Sequence, residues 1–597
     1  MLFDRLSRAA NWEAEDKDPR QVVLGSELKM GRLAPLSSVA LRGLLIVALA
    51  AFILALPMLV YGPMPQGADT YQHLNFARHF SEQFWAGELY PRWLIGMNHG
   101  LGTPTLFVYP PLPSYVCALL APIAKLCHFD AFRVGEFLAL FGSGLSALVW
   151  LCTMTSQGIA RFGAVLYMMM PYHLALDYYR RTALSECWAC VWMPLVLYFG
   201  VRAMKGGSVN LVGLAVAYAM LILSHLPTVF LFSPIPIGMV LWLSPNGRAL
   251  ASAVRVALGM ILGIGLSSFY FISALSQAKY FPISRMPLWL NLDRHFLNLP
   301  TLLHQGGINH VVSLIVVSTV IPCILCSTVI LAKASTETKK AIIFWLMPCI
   351  FSVGLMSSAA SQVWRIFPLL HASVQYPGRL NIILCVASLP ILAIFLSEIS
   401  RWPQRSRRFW GNLLIVSVTP WLISYWAVWV HYQGQTPSKN LSVSDYDGWF
   451  LAWPAPGLDD ASALRASGEL PARFQAGTAG TASVLLWKPR HLEIQTNSPN
   501  GGEVIVNQFY YPPWRAALLD SYRAVDVEVA MPEGLIKVYV PPGPQHLRLE
   551  IPVGPAEYAG QWISGLSVVL SVLLAIGLDR RSCADLDPES MPTCVAA

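Results

Sequence analysis

Charge is scarce in this chain. Only 12% of its 597 residues are Asp, Glu, Lys or Arg, against 55% hydrophobic, and the mean hydropathy is +0.51. That balance excludes an ordinary soluble globular protein and leaves a polytopic membrane protein. A phosphate-cradling P-loop is missing, as is any internal repeat, which argues against a nucleotide-driven pump. Cysteine is absent between about His431 and Tyr558, so that stretch must be stable without disulfides. Most of the 11 cysteines lie in apolar segments instead, and Cys323 and Cys326, although spaced as CxxC, read as packing residues without metal-binding partners. The formal charge of +8 comes from Lys and Arg beside apolar segments. There they act as topology signals, not as contacts to nucleic acid. The mixed-charge stretch 1–37 ahead of the first apolar run does not read as a cleaved signal peptide.

Thirteen apolar segments, centred near residues 50, 116, 143, 169, 194, 217, 235, 264, 321, 349, 389, 420 and 569, approach the length needed to span a bilayer. If all crossed, Arg202 with Lys205, Arg248 with Arg255, AKASTETKK and RWPQRSRR would fall opposite the charged N-terminus. Removing the piece at 106–126, which carries Pro110, Pro111, Pro113 and Pro122, repairs all of these loops at once. It is expected to be re-entrant or interfacial. The expectation is therefore about 12 transmembrane helices with both termini cytoplasmic, a first outer loop over 61–132, a transmembrane domain over 38–430 and a last span over 559–578, followed by a tail over 579–597.

Within the first outer loop, Gly67 to Ser114 is unlike a plain connection. Asp69 and His73 stand at i,i+4 spacing, and Phe76 and Phe80 continue the same face, the pattern of an amphipathic helix on the membrane surface. Tyr90, Pro91, Arg92 and Trp93 follow. An acid, a possible metal ligand, an arginine and aromatics at a bilayer boundary make a candidate active site. Asp69 reads either as a catalytic carboxylate or as a helix cap worth about 1 kcal/mol. His73 reads as a packed interfacial side chain or as a ligand that, with Asp69, would hold a divalent cation such as Mg, Mn or Zn.

Other outer groups stand at span ends: Arg180, Arg181 and Glu186 in YYRRTALSE, His225 in LSHLPT, and Arg379 in VQYPGRLNI. Charges so near hydrocarbon are expensive unless paired or used, and an arginine there suits a phosphate. Lys279, Arg285, Arg294, His295, His304 and His310 crowd the 276–310 loop without a pattern that separates them.

From about 431 to 558 the composition changes. HLEIQT, EVIVNQ, VDVEVA, LIKVYV and HLRLEI alternate apolar and polar residues between turn signals. They predict a C-terminal extracytoplasmic β-sandwich-like domain. Tyr511 and Trp514 in NQFYYPPWRAALLD suit sugar stacking if exposed and a sandwich core if buried.

The loop GADTYQHLNFARHF, with GELYPRWLIGMNHGLGTPTLFVYPPLPSY, PYHLALDYYRRTALSECWA and LSHLPT, resembles the bacterial 6-pyruvoyl-tetrahydropterin-synthase-related membrane proteins. Those proteins are similar to the GT-C superfamily of membrane glycosyltransferases, and FYYPPWRAALLD with its paired strands resembles the outer domain of YfhO-type members. The resemblance covers roughly 40–240 well. It implies a GT-C-like fold and an early acid in the first outer loop, here Asp69, as catalytic base, with Arg181 and Glu186 from the second outer loop near the site. It further implies inverting transfer from a polyprenyl-phosphate-linked sugar donor to a cell-envelope acceptor, with Arg92, Arg181, Glu186, His225 and Arg379 as candidates for substrate or phosphate contact. A lipid-linked glycan transporter or envelope assembly factor would keep the fold without needing the Asp69 carboxylate. It would carry ionisable groups deep in its spans.

Overall fold

The computed structural model describes residues 38–62, 69–123, 128–204, 206–244, 247–281, 292, 295–303, 307–433, 471–531 and 533–584. Arg285, Arg294 and His304 lie outside them.

Among the described residues, 11 helices are long and apolar enough to cross a membrane, from Ala40–Tyr61 to Pro555–Ile576. Ser208–Ile222 is shorter, at 15 residues, a rise of about 22 Å. Its ends nevertheless sit level with those of its neighbour Leu184–Met204: Asn210 meets Arg202 at 3.1 Å at one end, and His225 faces Glu186 at the other. It therefore runs alongside that span for its whole length. The proline-rich piece expected to stay out of the count forms only the 12-residue helix Leu112–Ile123, about 18 Å long. Its start is tied to the end of the 208–222 helix by the Leu112 N–H donating to the Leu223 carbonyl at 2.9 Å.

The span Pro377–Ser400 is apolar all round and 83% buried, whereas Gln404–Tyr432 and Pro555–Ile576 are 22% and 17% buried and turn Trp426, Leu566 and Leu573 outward. A helix apolar on every face belongs either at the centre of a bundle or against lipid, and here both placements occur. The last span packs closely on its neighbour. Ser564 donates to the Gly265 carbonyl and accepts from the Phe269 N–H, and a side chain at Gly560 would collide with the Ser268 carbonyl at 2.4 Å.

The C-terminal region is a two-sheet antiparallel structure. One sheet has the order β1 (Ala472–Phe474), β4 (Gly502–Phe509), β8 (Leu535–Val540), β7 (Val527–Ala530). The other has β2 (Thr481–Lys488), β3 (His491–Ser498), β9 (Gly543–Glu550), β5 (Arg515–Leu518), β6 (Arg523–Val525). Alternate residues point inward, as period-two patterning requires. Leu492 and Ile494 of one sheet meet Val504, Val506 and Val538 of the other in a single core. Four of the five alternating runs legible in the sequence each map onto a single strand, whereas VDVEVA is broken at Asp526, where the chain leaves β6 of one sheet for β7 of the other.

That core does not stop at the domain edge. Trp93, Leu101 and Phe107 of the first loop belong to it. Trp93 donates from Nε1 to Gln508 Oε1 at 2.7 Å, and the Phe509 N–H donates to the Leu101 carbonyl at 2.6 Å. Tyr511 and Trp514 are 0% and 1% exposed, with Trp93 at ring-centroid distances of 6.0 and 5.3 Å. The sugar-stacking reading of Tyr511 and Trp514 is thus corrected. Both rings fill the junction of the β region and the first loop, packed against Trp93 and, for Tyr511, against Phe107 as well.

Candidate active site

Thr70–Trp85 is the amphipathic helix expected after Asp69, with His73, Leu74, Phe76, Ala77 and Phe80 turned inward. Asp69 occupies the cap position, yet its side chain makes no cap hydrogen bond. Its carboxylate turns to Arg181 instead, 112 residues away in sequence, whose Nε and Nη2 both reach Oδ2, at 3.1 and 2.9 Å. The other oxygen, Oδ1, has no hydrogen bond among the described residues, and the side chain is 23% exposed. Main-chain bonds fix the pair: the Asp69 N–H donates to the Arg181 carbonyl at 3.1 Å.

Arg181 ends a span that changes form midway. Gln157–Met169 is α-helical, Met170 is extended before Pro171, and Tyr172–Arg181 winds as a wide π-type helix. The residue before a proline avoids the helical region, and a π-type stretch re-aims side chains relative to an α-helix. Arg181 Nη1 is thereby brought to Asp177 Oδ1 at 2.8 Å and to Glu186 Oε2 at 2.8 Å. One guanidinium therefore gathers three carboxylates. Glu186 Oε1 also accepts from the Tyr172 hydroxyl at 2.7 Å. Thr182, β-branched and buried, holds a left-handed backbone at φ 56°, a conformation that costs on the order of 1–3 kcal/mol. Its carbonyl faces His73 Nδ1 at 3.0 Å, and its hydroxyl accepts from Thr70 at 3.0 Å.

Both ring nitrogens of His73 are occupied. Nε2 lies 2.7 Å from the Tyr109 hydroxyl, and Nδ1 lies within reach of the Thr182 carbonyl and the Leu184 N–H. Burial pushes the His73 pKa below the usual histidine value, partly offset by the Asp69 charge. His73 and Asp69 therefore do not fit a shared divalent cation, which needs free lone pairs on both ligands. Among the described residues, no group of three or more His, Cys, Asp and Glu side chains is arranged to hold a metal ion.

Arg379 and His225 complete the cluster. Arg379 Nη1 donates to the Gln375 side-chain oxygen at 2.6 Å and to the Val374 carbonyl at 3.2 Å, its guanidinium lies 4.7 Å from the Tyr376 ring centre, and its buried Nε has no hydrogen-bond partner. The Arg181 guanidinium lies 5.9 Å from the same ring. His225 Nδ1 bonds the Thr228 hydroxyl at 2.7 Å. Burial lowers the His225 pKa to about 3, against an upward pull from Glu186, so the ring is neutral.

The site thus draws on six segments of the chain. Three of the outer groups singled out from the sequence, around Arg181, His225 and Arg379, meet Asp69 in it. Arg92 does not. Its guanidinium is held by Glu557 at 3.1 Å, Ser273 at 2.8 Å and the Phe269 carbonyl at 2.9 Å, against the β region and the last span. Arg92, a candidate for substrate or phosphate contact as an arginine of the first outer loop, is thus paired away from Asp69. Arg181 and Glu186 are present, Arg181 divided among Asp69, Asp177 and Glu186, so both orient the site. Asp177, Tyr172, Tyr109 and Tyr376 were missed. Only Asp177 carried a signal, its i,i+4 spacing to Arg181.

No family model and no curated protein matches this sequence. Two solved structures of the arabinofuranosyltransferase AftD from Mycobacteria are similar to it. One is a mutant form, R1389S class 2, with 15% identity and a TM-score of 0.43 over 65% of this chain and 28% of that one. The other has 16% identity and a TM-score of 0.42 over 66% of this chain and 27% of that one. The chain spans less than a third of the length of those proteins. The residue roles drawn below come from this chain's own geometry.

Proposed function

We propose that the protein is a membrane glycosyltransferase that moves a sugar from a polyprenyl-phosphate-linked donor to a hydroxyl of a cell-envelope acceptor, with inversion and with Asp69 as general base. The observation that carries this reading is the state of the Asp69 carboxylate: one oxygen is clamped by Arg181, the other is bonded by none of the described residues, and the side chain is 23% exposed. A general base needs an oriented, accessible lone pair within reach of the proton it takes, and contributes roughly 10²- to 10⁴-fold in rate. The acceptor hydroxyl gives its proton to Oδ1 as its oxygen bonds the anomeric carbon. The bond from that carbon to the phosphate oxygen breaks on the opposite face, and the lipid phosphate leaves with the electron pair. Arg379, whose Nε is unpartnered, and the neutral His225 ring are the groups that would meet the developing phosphate charge.

The orientation we favour puts this cluster on the outer face of a bacterial inner membrane. Arg202, with its partner Asn210, sits at the opposite ends of the spans that bring Glu186 and His225 to the site, in keeping with basic loops on the cytoplasmic side. A transport or assembly role has one observation in its favour. Glu136, buried in the span Asp130–Leu151, has no hydrogen-bond partner on either carboxyl oxygen, as a group on an ion path would.

The test compares lipid-linked sugars and envelope glycans by mass spectrometry in cells lacking the protein and complemented with wild type or Asp69→Asn at matched membrane levels. Accumulation of a glycosylated polyprenyl phosphate in both the deletion and Asp69→Asn is the expected result. A wild-type glycan profile with Asp69→Asn would overturn the reading and move the transport role ahead.

A further inference from the structure

A cavity of about 380 Å³ lies apart from the Asp69 cluster, towards the far end of the 70–85 helix. It is lined by Glu88, Tyr90, Arg92, Tyr115, Phe269, Arg490 and Glu557, among others. Three charged groups on its wall form a buried triad. Glu557 takes Arg92 Nε at 3.1 Å and Arg490 Nη1 and Nη2 at 3.0 and 3.1 Å. Each guanidinium carries five N–H donors, and the bonds to Ser273, Phe269, Ile551 and Pro552 leave some of them unused on both.

The fourth charge, Glu88, is different. Its Oε2 accepts from the Gln83 side-chain amide at 2.9 Å, and the Arg92 backbone N–H also bonds the carboxylate, so two neutral donors, and no direct ion pair among the described residues, hold it. Burial pushes its pKa above the usual glutamate value, so a cationic donor would relieve it. Two arginines and two glutamates make the wall neutral overall, with a cationic side at the triad and an acceptor at Glu88. Tyr90, Tyr115 and Phe269 line the same cavity, and Phe269 meets Tyr90 edge-on with ring centres 5.8 Å apart.

The location is at headgroup level. Glu557 and Gln561 lie in the first two turns of the last span, and Phe269 follows the end of the span Ala249–Leu266. Leu89 of the cavity wall is 77% exposed, and Tyr558 and Trp562, which neighbour the lining residues Glu557 and Gln561 in sequence, are 54% and 74% exposed, amphipathic rings of the kind found where a bilayer meets water.

We propose that this cavity binds the headgroup of a zwitterionic phospholipid of the phosphoethanolamine class, its ammonium donating to the Glu88 carboxylate beside the aromatic rings and its phosphate meeting the free N–H groups of Arg92 and Arg490. An anionic headgroup would leave Glu88 unmatched. A ligand without a phosphate would leave the arginines so. The site does not depend on the glycosyl-transfer reading, and its test reads binding alone.

The full-length protein is reconstituted in nanodiscs of phosphatidylethanolamine, phosphatidylglycerol and phosphatidylcholine in equal parts, and the lipid retained after detergent extraction is identified by native mass spectrometry. Wild type should retain phosphatidylethanolamine about tenfold over the other two, and Glu88→Gln should lose that preference. In wild type alone, retention should also fall stepwise as the ammonium is N-methylated, because each methyl removes a donor to Glu88. Equal retention of all three lipids, preference for phosphatidylglycerol, or an unchanged preference in Glu88→Gln would overturn the proposal. Displacement by soluble phosphoethanolamine as effective as by the lipid would assign the site to a free metabolite and overturn the lipid assignment.

Discussion

Arg181 directs two of its nitrogens at a single oxygen of Asp69, at 3.1 and 2.9 Å, and turns the third to Asp177 and Glu186, both at 2.8 Å. The geometry orients one carboxylate while neutralising two others that are 0% and 1% exposed. A planar fork does this, and an ammonium does not.

Removing that fork should therefore harm both stability and activity, to different degrees. Arg181→Ala leaves Asp177 and Glu186 buried without their cation, a change that costs about 3–5 kcal/mol. Arg181→Lys keeps a charge there but cannot hold Asp69 from two nitrogens, so it should fold and lose turnover. Melting in detergent, set beside glycosyl transfer in membranes, checks both. A Lys variant with full turnover would show that the two-nitrogen clamp on Asp69 is unnecessary.

His225 should make stability depend on pH in a stated direction. Its folded pKa, about 3, lies below the unfolded value near 6.5, so the unfolded chain binds the extra proton as pH falls between them. The stability contributed by neutral His225 is fully present above about 6.5 and is lost progressively down to about 3, at no more than about 1.4 kcal/mol per pH unit. Melting temperatures of wild type and His225→Gln, measured from pH 7.5 to 4.5, should change relative to one another, wild type losing more as the pH drops. Parallel curves would rule the effect out.

Gly102 is a position where a methyl group does not fit. Its φ is +78°, and a side chain would meet Gln508 Oε1 and Trp93 Nε1, each at 2.6 Å. These are the two atoms that bond to each other across the seam of first loop and β region. Gly102→Ala should break that bond and increase amide exchange in 93–107 and in the 502–509 strand. Unchanged protection in both would show that the seam does not rely on it.

The triad at Glu557 is expected to be structural. Glu557→Gln removes the anion shared by Arg92 and Arg490, both largely buried, and leaving two cations without it should cost several kcal/mol. The double variant Glu557→Gln with Arg92→Met should recover part of the loss. A double-mutant cycle on thermal melting measures the coupling; additive losses would argue against the triad.

Much of this molecule is written locally. Hydrophobic runs of about 20 residues are legible as spans, and period-two alternation is legible as strands, because burial of neighbouring side chains drives both and the pattern repeats within a few residues. The placement of Arg and Lys predicts about 12 traverses, and 11 helices among the described residues are long and apolar enough to cross; the prolines at 110–122 mark an apolar piece that forms only a 12-residue helix. Asp69 was legible for the same reason, as an acid opening an amphipathic stretch. Which group it meets was not. Asp69 and Arg181 are 112 residues apart, Trp93 and Gln508 are 415 apart, and Arg92 and Glu557 lie on opposite sides of nearly the whole membrane region. Arg92 and Arg181 look alike in sequence, as do buried and exposed aromatics such as Tyr511 and Tyr522. Pairing at such distances is settled by how helices and sheets pack, since a buried charge takes whichever partner the assembled fold brings within reach. The sequence by itself determined the class of the protein, its spans, its strands and its candidate acid. Only the tertiary structure decided that Asp69 is clamped and not capping, that Arg92 belongs to the β seam, and that Tyr511 and Trp514 are core.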